Sequence, residues 1–122
     1  MLLAVVLTTG CINQSANEGQ QQLFNVHVKV VNNERILVDK HIQIEKGKSA
    51  LDATLAATSA EYKSSSMGAF VESIAGYKPE TPFYWTLYVD GIYAMKSSSA
   101  YEVAEGMEII WKTENFNEMM PN

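Results

Sequence analysis

A chain of 122 residues leaves room for one domain of about a hundred residues, which would bury about two-thirds of its unfolded surface, and none for a second. Nine Lys and Arg against 14 Asp and Glu give a net charge of −5, with the cations dispersed along the chain; phosphate recognition needs clustered cations, so nucleic acid is excluded as a partner. Cys11 is the only cysteine, which rules out an intrachain disulfide.

The N-terminus argues for export. Leu2-Leu3-Ala4-Val5-Val6-Leu7 is an apolar run too short to span a bilayer, and it leads into Thr8-Thr9-Gly10-Cys11. That ending resembles the bacterial lipoprotein processing site, which implies that residues 1–11 are a signal segment, that Cys11 carries the lipid, and that the protein is extracytoplasmic and anchored to the cell membrane. Residues 12–22 hold one large apolar side chain, Ile12, too little to offset the entropy lost on ordering. They read as a flexible tether, whose coil dimension of about 5 to 6 Å times the square root of its length keeps the domain close to the lipid surface.

The domain begins at residue 23 with a hairpin. Phe24, Val26, Val28 and Val30 alternate with Asn25, His27 and Lys29; after Asn32-Asn33-Glu34, Ile36, Val38, Ile42 and Ile44 alternate with Leu37, Asp39, His41 and Gln43. Even positions face inward on both strands, with Lys40 the exception. Matching the two apolar faces requires paired residue numbers to sum to an even value, and 66 and 68 both satisfy this. The first sets His27 opposite Asp39; the second sets His27 opposite His41 and Lys29 opposite Asp39. No HxH, HExxH or CxxC spacing accompanies the two histidines, and the expectation is two solvated imidazoles with no metal.

Ser49-Ala50-Leu51-Asp52 matches a capping box with Asp in the acidic place, opening a helix of about three turns that ends near Ala60. Leu51 and Leu55 fall on its buried face, and Ala53, Ala56 and Ala57 allow close approach to a sheet. Tyr62-Lys63-Ser64-Ser65-Ser66 then reads as an exit loop, and Gly68 through Gly76 as a middle strand. Next, Trp85, Leu87 and Val89 alternate with Tyr84, Thr86 and Tyr88, giving one apolar and one phenolic face. Asp90-Gly91 supplies the positive-φ residues of a tight hairpin, with Ile92-Tyr93-Ala94-Met95 as the return strand. Gly106-Met107-Glu108-Ile109-Ile110-Trp111 is a last strand, the domain closes at about residue 116, and 117–122 form a tail. Trp85 and Trp111 take inward positions as core.

The order of these segments, Gly47 to Leu55, Gly68 to Gly76, Tyr84-Trp85 through Asp90-Gly91, Tyr101-Glu102-Val103 and Glu105 to Trp111, resembles the transcobalamin C-terminal-like domain family in its bacterial, DUF4430-type surface lipoprotein form. The resemblance covers roughly residues 23 to 115. It implies an α+β fold, a β-grasp-like mixed sheet with one packed helix, of the branch that binds soluble ligands. Vertebrate members use the domain as the smaller half of a clamp around cobalamin, which makes a corrinoid the implied ligand here and a second binding domain or a membrane transporter the implied partner. The family's contacts fall on Leu87 or Tyr88 and on Met95.

The residues themselves favour binding over catalysis. Ser64 to Ser66 and Ser97 to Ser99 sit in neither a GxSxG elbow nor an SxxK spacing, and the carboxylates are too scattered to pair as acid and base. No cofactor is required by any motif, and an enzyme is not expected. Tyr84, Leu87, Tyr88, Tyr93, Met95, Ser97 and Ser98 instead gather aromatic, thioether and hydroxyl groups about the Asp90-Gly91 turn. The expected function is a tethered ligand-binding module; the alternative is an adhesion or scaffold module without a small ligand.

Overall fold

The computed structural model describes residues 22–119. The expected signal segment with Cys11, and the expected tether up to residue 21, lie outside the described residues, as do the last three of the expected tail. The elements are β1 (Leu23–Asn32), β2 (Arg35–Glu45), α1 (Ala50–Ala57), β3 (Ala60–Ser65), β4 (Gly68–Ile74), β5 (Phe83–Val89), β6 (Ile92–Tyr93), a 3-10 turn (Ser98–Ala100), β7 (Met107–Asn115) and α2 (Phe116–Met119). Five strands form one mixed sheet in the order β2-β1-β7-β5-β6, in which β1 and β7 are parallel and the other pairs antiparallel. The fold is α+β and β-grasp-like, with α1 laid against β1 and β2.

The first hairpin adopts the register that sums to 68, pairing His27 with His41 and Lys29 with Asp39. Val26, Val28 and Val30 are buried, as alternation predicts. A bulge between Val30 and Val31 shifts the pairing beyond it, so Ile36 lies opposite Val31. Ile36 therefore turns outward, 57% exposed, against the expectation that it faces the core. Lys40 breaks the apolar alternation for a reason: its Nζ donates to the Ala57 carbonyl at 2.8 Å, satisfying an acceptor at the end of α1.

The capping box forms as read, with the Asp52 amide donating to Ser49 Oγ and the Ser49 amide donating to Asp52 Oδ2. The helix is shorter than expected, eight residues ending at Ala57, because Thr58 closes the last turn onto the Thr54 carbonyl and then extends. Leu55 is exposed; the buried stripe is Ala50, Leu51, Ala53, Thr54 and Ala57. Thr54 Oγ1 accepts the Trp111 indole N–H at 2.9 Å inside the core and donates to the Ala50 carbonyl.

The expected exit loop is strand β3, and the expected middle strand β4 pairs with it alone, as a two-stranded ribbon apart from the main sheet. Almost every residue of β3 is exposed, so it carries no apolar alternation to betray a strand. Asp90 and Gly91 take positive φ (52° and 83°) and turn β5 into β6. The return strand stops after Tyr93: the Ala94 amide reaches the Leu87 carbonyl, and the chain then leaves the edge for the 3-10 turn. Trp85, Leu87, Ile109 and Trp111 complete the core beside the valines of β1.

Candidate functional site

The ribbon stands against the β5–β6 edge, and the gap between them is the candidate site. What holds it there is a contact of backbone with hydroxyl. Ser97 Oγ accepts the Ala69 amide at 2.9 Å and donates to the Ala69 carbonyl at 2.8 Å, while Ser99 Oγ lies 3.0 Å from Ser97 Oγ. The approach is possible because position 68 is glycine: a Cβ there would come within 2.6 Å of Ser97 Cβ, at a φ of +106° that disfavours any side chain.

A cleft of about 150 Å³ remains beside this contact, lined by Phe70, Val71, Trp85, Leu87, Tyr93 and Ser98 among others. An adjoining groove is lined by Met67, Phe70, Met95 and Lys96. Met67 is 86% exposed, Met95 83% and Phe70 59%, an unusual set of large apolar groups in open solvent around one gap. Met95 is held by its backbone, whose amide donates to the Tyr101 hydroxyl, and Lys96 Nζ sits 4.8 Å over the Tyr101 ring. Its thioether is thus presented from a fixed anchor. The Ser98 hydroxyl is buried and has no hydrogen-bond partner among the described residues. So enclosed, it is an unsatisfied polar group of the interior and not one offered to a ligand at the surface.

The seven residues singled out in the sequence do not form one surface. Leu87, Ser97 and Ser98 line the cleft and Met95 the adjoining groove, while Tyr93, at the cleft's border, is paired opposite Tyr88 and packs its ring against that phenol on the other face. Leu87 lines the cleft from the core, only 6% exposed, and the Ser97 hydroxyl is occupied by the ribbon. Tyr84 and Tyr88 alternate with Trp85 and Leu87 and so emerge on the other face of the sheet. Tyr84 lines a separate apolar depression with Pro82, Phe83, Phe116 and Phe70. The Tyr88 hydroxyl donates to Glu114, 3.0 Å away, with Lys112 Nζ 4.5 Å above its ring and Tyr93 edge-on at 5.7 Å. Burial, and then the hydrogen bond to the Glu114 carboxylate, push the Tyr88 phenol up to about 12, and burial also raises Tyr84. These phenols remain neutral donors at any ordinary pH.

Sequence reasoning missed Phe70, which borders all three depressions, and Met67. A signal existed: the polar run Tyr62 to Ser65 could not cover a neighbouring strand, so alternate residues of β4 had to face solvent.

Among the described residues, no helix is long and apolar enough to cross a membrane. The family model for the Domain of unknown function (DUF4430) matches residues 47–115. Haptocorrin, in a crystal structure in complex with Cbi, shares the fold with a TM-score of 0.71 at 17% identity, over 80% of this chain. This chain spans about a quarter of that one, 26% of its length. A candidate metal-binding protein from Ruminococcus gnavus ATCC 29149, solved at 1.30 Å, is similar with a TM-score of 0.63 at 12% identity, over 75% of this chain and 97% of that one. No curated protein matches the sequence.

Proposed function

The chain belongs to the DUF4430 family, and on that premise we propose that it is a small-molecule-binding module, tethered outside the cytoplasm by a lipid on Cys11, for a bulky flat ligand such as a corrinoid. The observation that carries this reading is the pair of adjoining depressions between ribbon and sheet edge, where Phe70 borders both and Met67 and Met95 stand exposed along the outer one. The mixture suits a large ring with polar fringes: apolar and thioether groups for its face, and the Lys96 ammonium of the same groove for its edge. The likeness in fold to haptocorrin, solved with Cbi, supports the same ligand class.

We read the role as binding, and the cleft serines give no support to catalysis. The serines of the cleft have no base beside them: Ser97 bonds to Ala69 and Ser99, and Ser98 Oγ to nothing among the described residues. Neither hydroxyl is activated as a nucleophile. A lone domain binds weakly. Burying about 300 Å² of apolar ligand at about 25 cal/mol/Å² gives about 7.5 kcal/mol before the cost of association, which consumes most of it. A second binding domain or a membrane transporter would therefore complete the grip.

Titration with cobalamin and with Cbi, followed by the fluorescence of Trp85 and Trp111, tests the proposal. Saturation is expected, and Phe70→Ala and Met95→Ala should each weaken it by about 1 to 3 kcal/mol. A flat signal up to near-millimolar ligand overturns it in favour of an adhesion or scaffold module. For the anchor, the protein expressed with its natural upstream region in a bacterial host should take up labelled fatty acid at Cys11, and a free Cys11 thiol in the cytoplasmic fraction would refute it.

A further inference from the structure

The face of the sheet turned away from α1 carries a second constellation, remote in register from the cleft. His27 on β1 and His41 on β2 are directly paired across the strands, and their rings stack with centroids 4.3 Å apart and planes 9° from parallel. Asp39, two residues from His41 on the same face, places Oδ1 2.6 Å from His27 Nε2. One nitrogen of each imidazole and one oxygen of Asp39 all lie within 4.8 Å of one another. On the far side of His27, Glu108 of β7 holds Oε2 3.4 Å from Nδ1. An open depression lined by Asn25, His27, His41, Asp90 and Glu108 leads in from solvent.

We infer that His27, His41 and Asp39 form a binding site for a borderline divalent transition cation, of the zinc, copper(II) or nickel class, with Glu108 orienting His27 from behind. Two imidazoles and one carboxylate are the donors such ions take in three-ligand sites, which leave further positions open to water or a ligand; calcium and magnesium prefer all-oxygen shells. Glu108 supplies the second requirement. A metal-bound imidazole donates its other ring N–H to a carboxylate, which fixes the tautomer and turns the free lone pair toward the ion. Glu108 Oε2, 3.4 Å from Nδ1, is close enough to take that N–H once the ring settles on an ion, which would leave the lone pair of His27 on Nε2, the nitrogen facing Asp39.

The adjustment needed is small. Bonds of about 2.0 to 2.1 Å around a tetrahedral ion separate donors by about 3.3 Å, so a cation entering between His27 and Asp39 widens that 2.6 Å pair by less than about 1 Å. The stacked rings hold their lone pairs in nearly parallel planes, and rotation of the exposed His41 about its second torsion, a soft coordinate, tilts its plane toward a shared ion. The backbone stays where the register has put it. β1 lies between two partner strands and sets His27, whereas β2 is the edge and leaves His41 free to turn.

Calorimetric titration of the untagged full chain, stripped with chelator, with zinc, copper(II) and nickel salts tests the site. One saturable equivalent at about micromolar affinity is expected. His41→Ala, a change at an exposed side chain, should weaken it at least about tenfold, and Glu108→Gln, which keeps the shape and removes the charge, about ten- to a hundredfold. With cobalt(II) as the probe, the parent should show visible absorption bands that His41→Ala abolishes. Ions held by Cys11 or the N-terminus would bind both variants as they bind the parent, and that result overturns the inference, as does the lack of any heat or spectrum up to about millimolar metal. Circular dichroism of each variant confirms that the fold is unchanged.

Discussion

Replacing Thr54 by Val removes one hydroxyl at constant shape and should cost far more than its size suggests. Thr54 is fully buried, and its Oγ1 is the acceptor for the Trp111 indole N–H at 2.9 Å. Trp111 is 4% exposed, so no water can replace the lost partner without opening the core. An orphaned buried donor costs about 1 to 3 kcal/mol, against a gain of a few tenths from the added methyl contacts. In a domain of about a hundred residues each kcal/mol lowers the melting temperature by about 4 to 8 °C, so a loss of about 2 kcal/mol should appear as a fall of about 8 to 16 °C. The assay is a double-mutant cycle in urea, with Trp111→Phe as the second arm. With no indole N–H to orphan, Thr54→Val should cost at least about 1 kcal/mol less in the Trp111→Phe background. An equal cost in both backgrounds would show that the hydroxyl matters only through the Ala50 carbonyl, and the helix-to-strand hydrogen bond would lose its place in the account.

Gly68→Ala should destabilise the domain by about 2 to 4 kcal/mol, through its left-handed backbone and the contact with Ser97, and should make the ribbon the first site of limited proteolysis; an undiminished melting temperature would contradict this. Tyr88 ionises at about 12 in the fold against 10.0 ordinarily, so the native state favours the protonated phenol: its contribution is complete below pH 10 and is lost as pH rises from there through 12. Tyr88→Phe should flatten that alkaline fall, and an unchanged profile would refute the assignment. Trp85→Ala should cost about 3 to 5 kcal/mol as a large core aromatic, while Met95→Ala should stay within about 0.5 kcal/mol; a Met95 variant as unstable as the Trp85 one would make Met95 core and remove it from the groove.

The main sheet was legible because alternation in β1 and β7 marks the buried face, whereas in β5 Thr86 is buried on the opposite face between Trp85 and Leu87. The capping box at Ser49 and the Asp90-Gly91 turn were equally plain, since each is a local device with a fixed residue requirement. Register between β1 and β2 could be narrowed to two values and no further, because both bury the same valines; the bulge at Val30 then reverses Ile36, and no residue pattern announces it. The ribbon was missed for a different reason. β3 has an exposed, polar sequence and is a strand only because β4 offers it partners, so its structure lies in its pairing. The site was half legible on the same grounds: the β5 and β6 contributions follow from the turn, whereas Phe70 and Met67 join them through tertiary contact between Gly68 and Ser97, some thirty residues apart.

The parallel pairing of β1 with β7 has a consequence for how the domain comes into being. Val26 meets Met107 and Val30 meets Trp111, so the two central strands are separated by about eighty residues of chain. Until the C-terminal segment has emerged from the ribosome, β1 has only β2 beside it and α1 has half a sheet to rest on. An isolated hairpin with one short helix is too small to hold together, and contacts of such long range are slow to close. A nascent chain of this sequence should therefore stay unfolded until β7 has been made, which would keep the segment before it threadable through any pore that requires an extended polypeptide and make folding an event triggered by the arrival of β7.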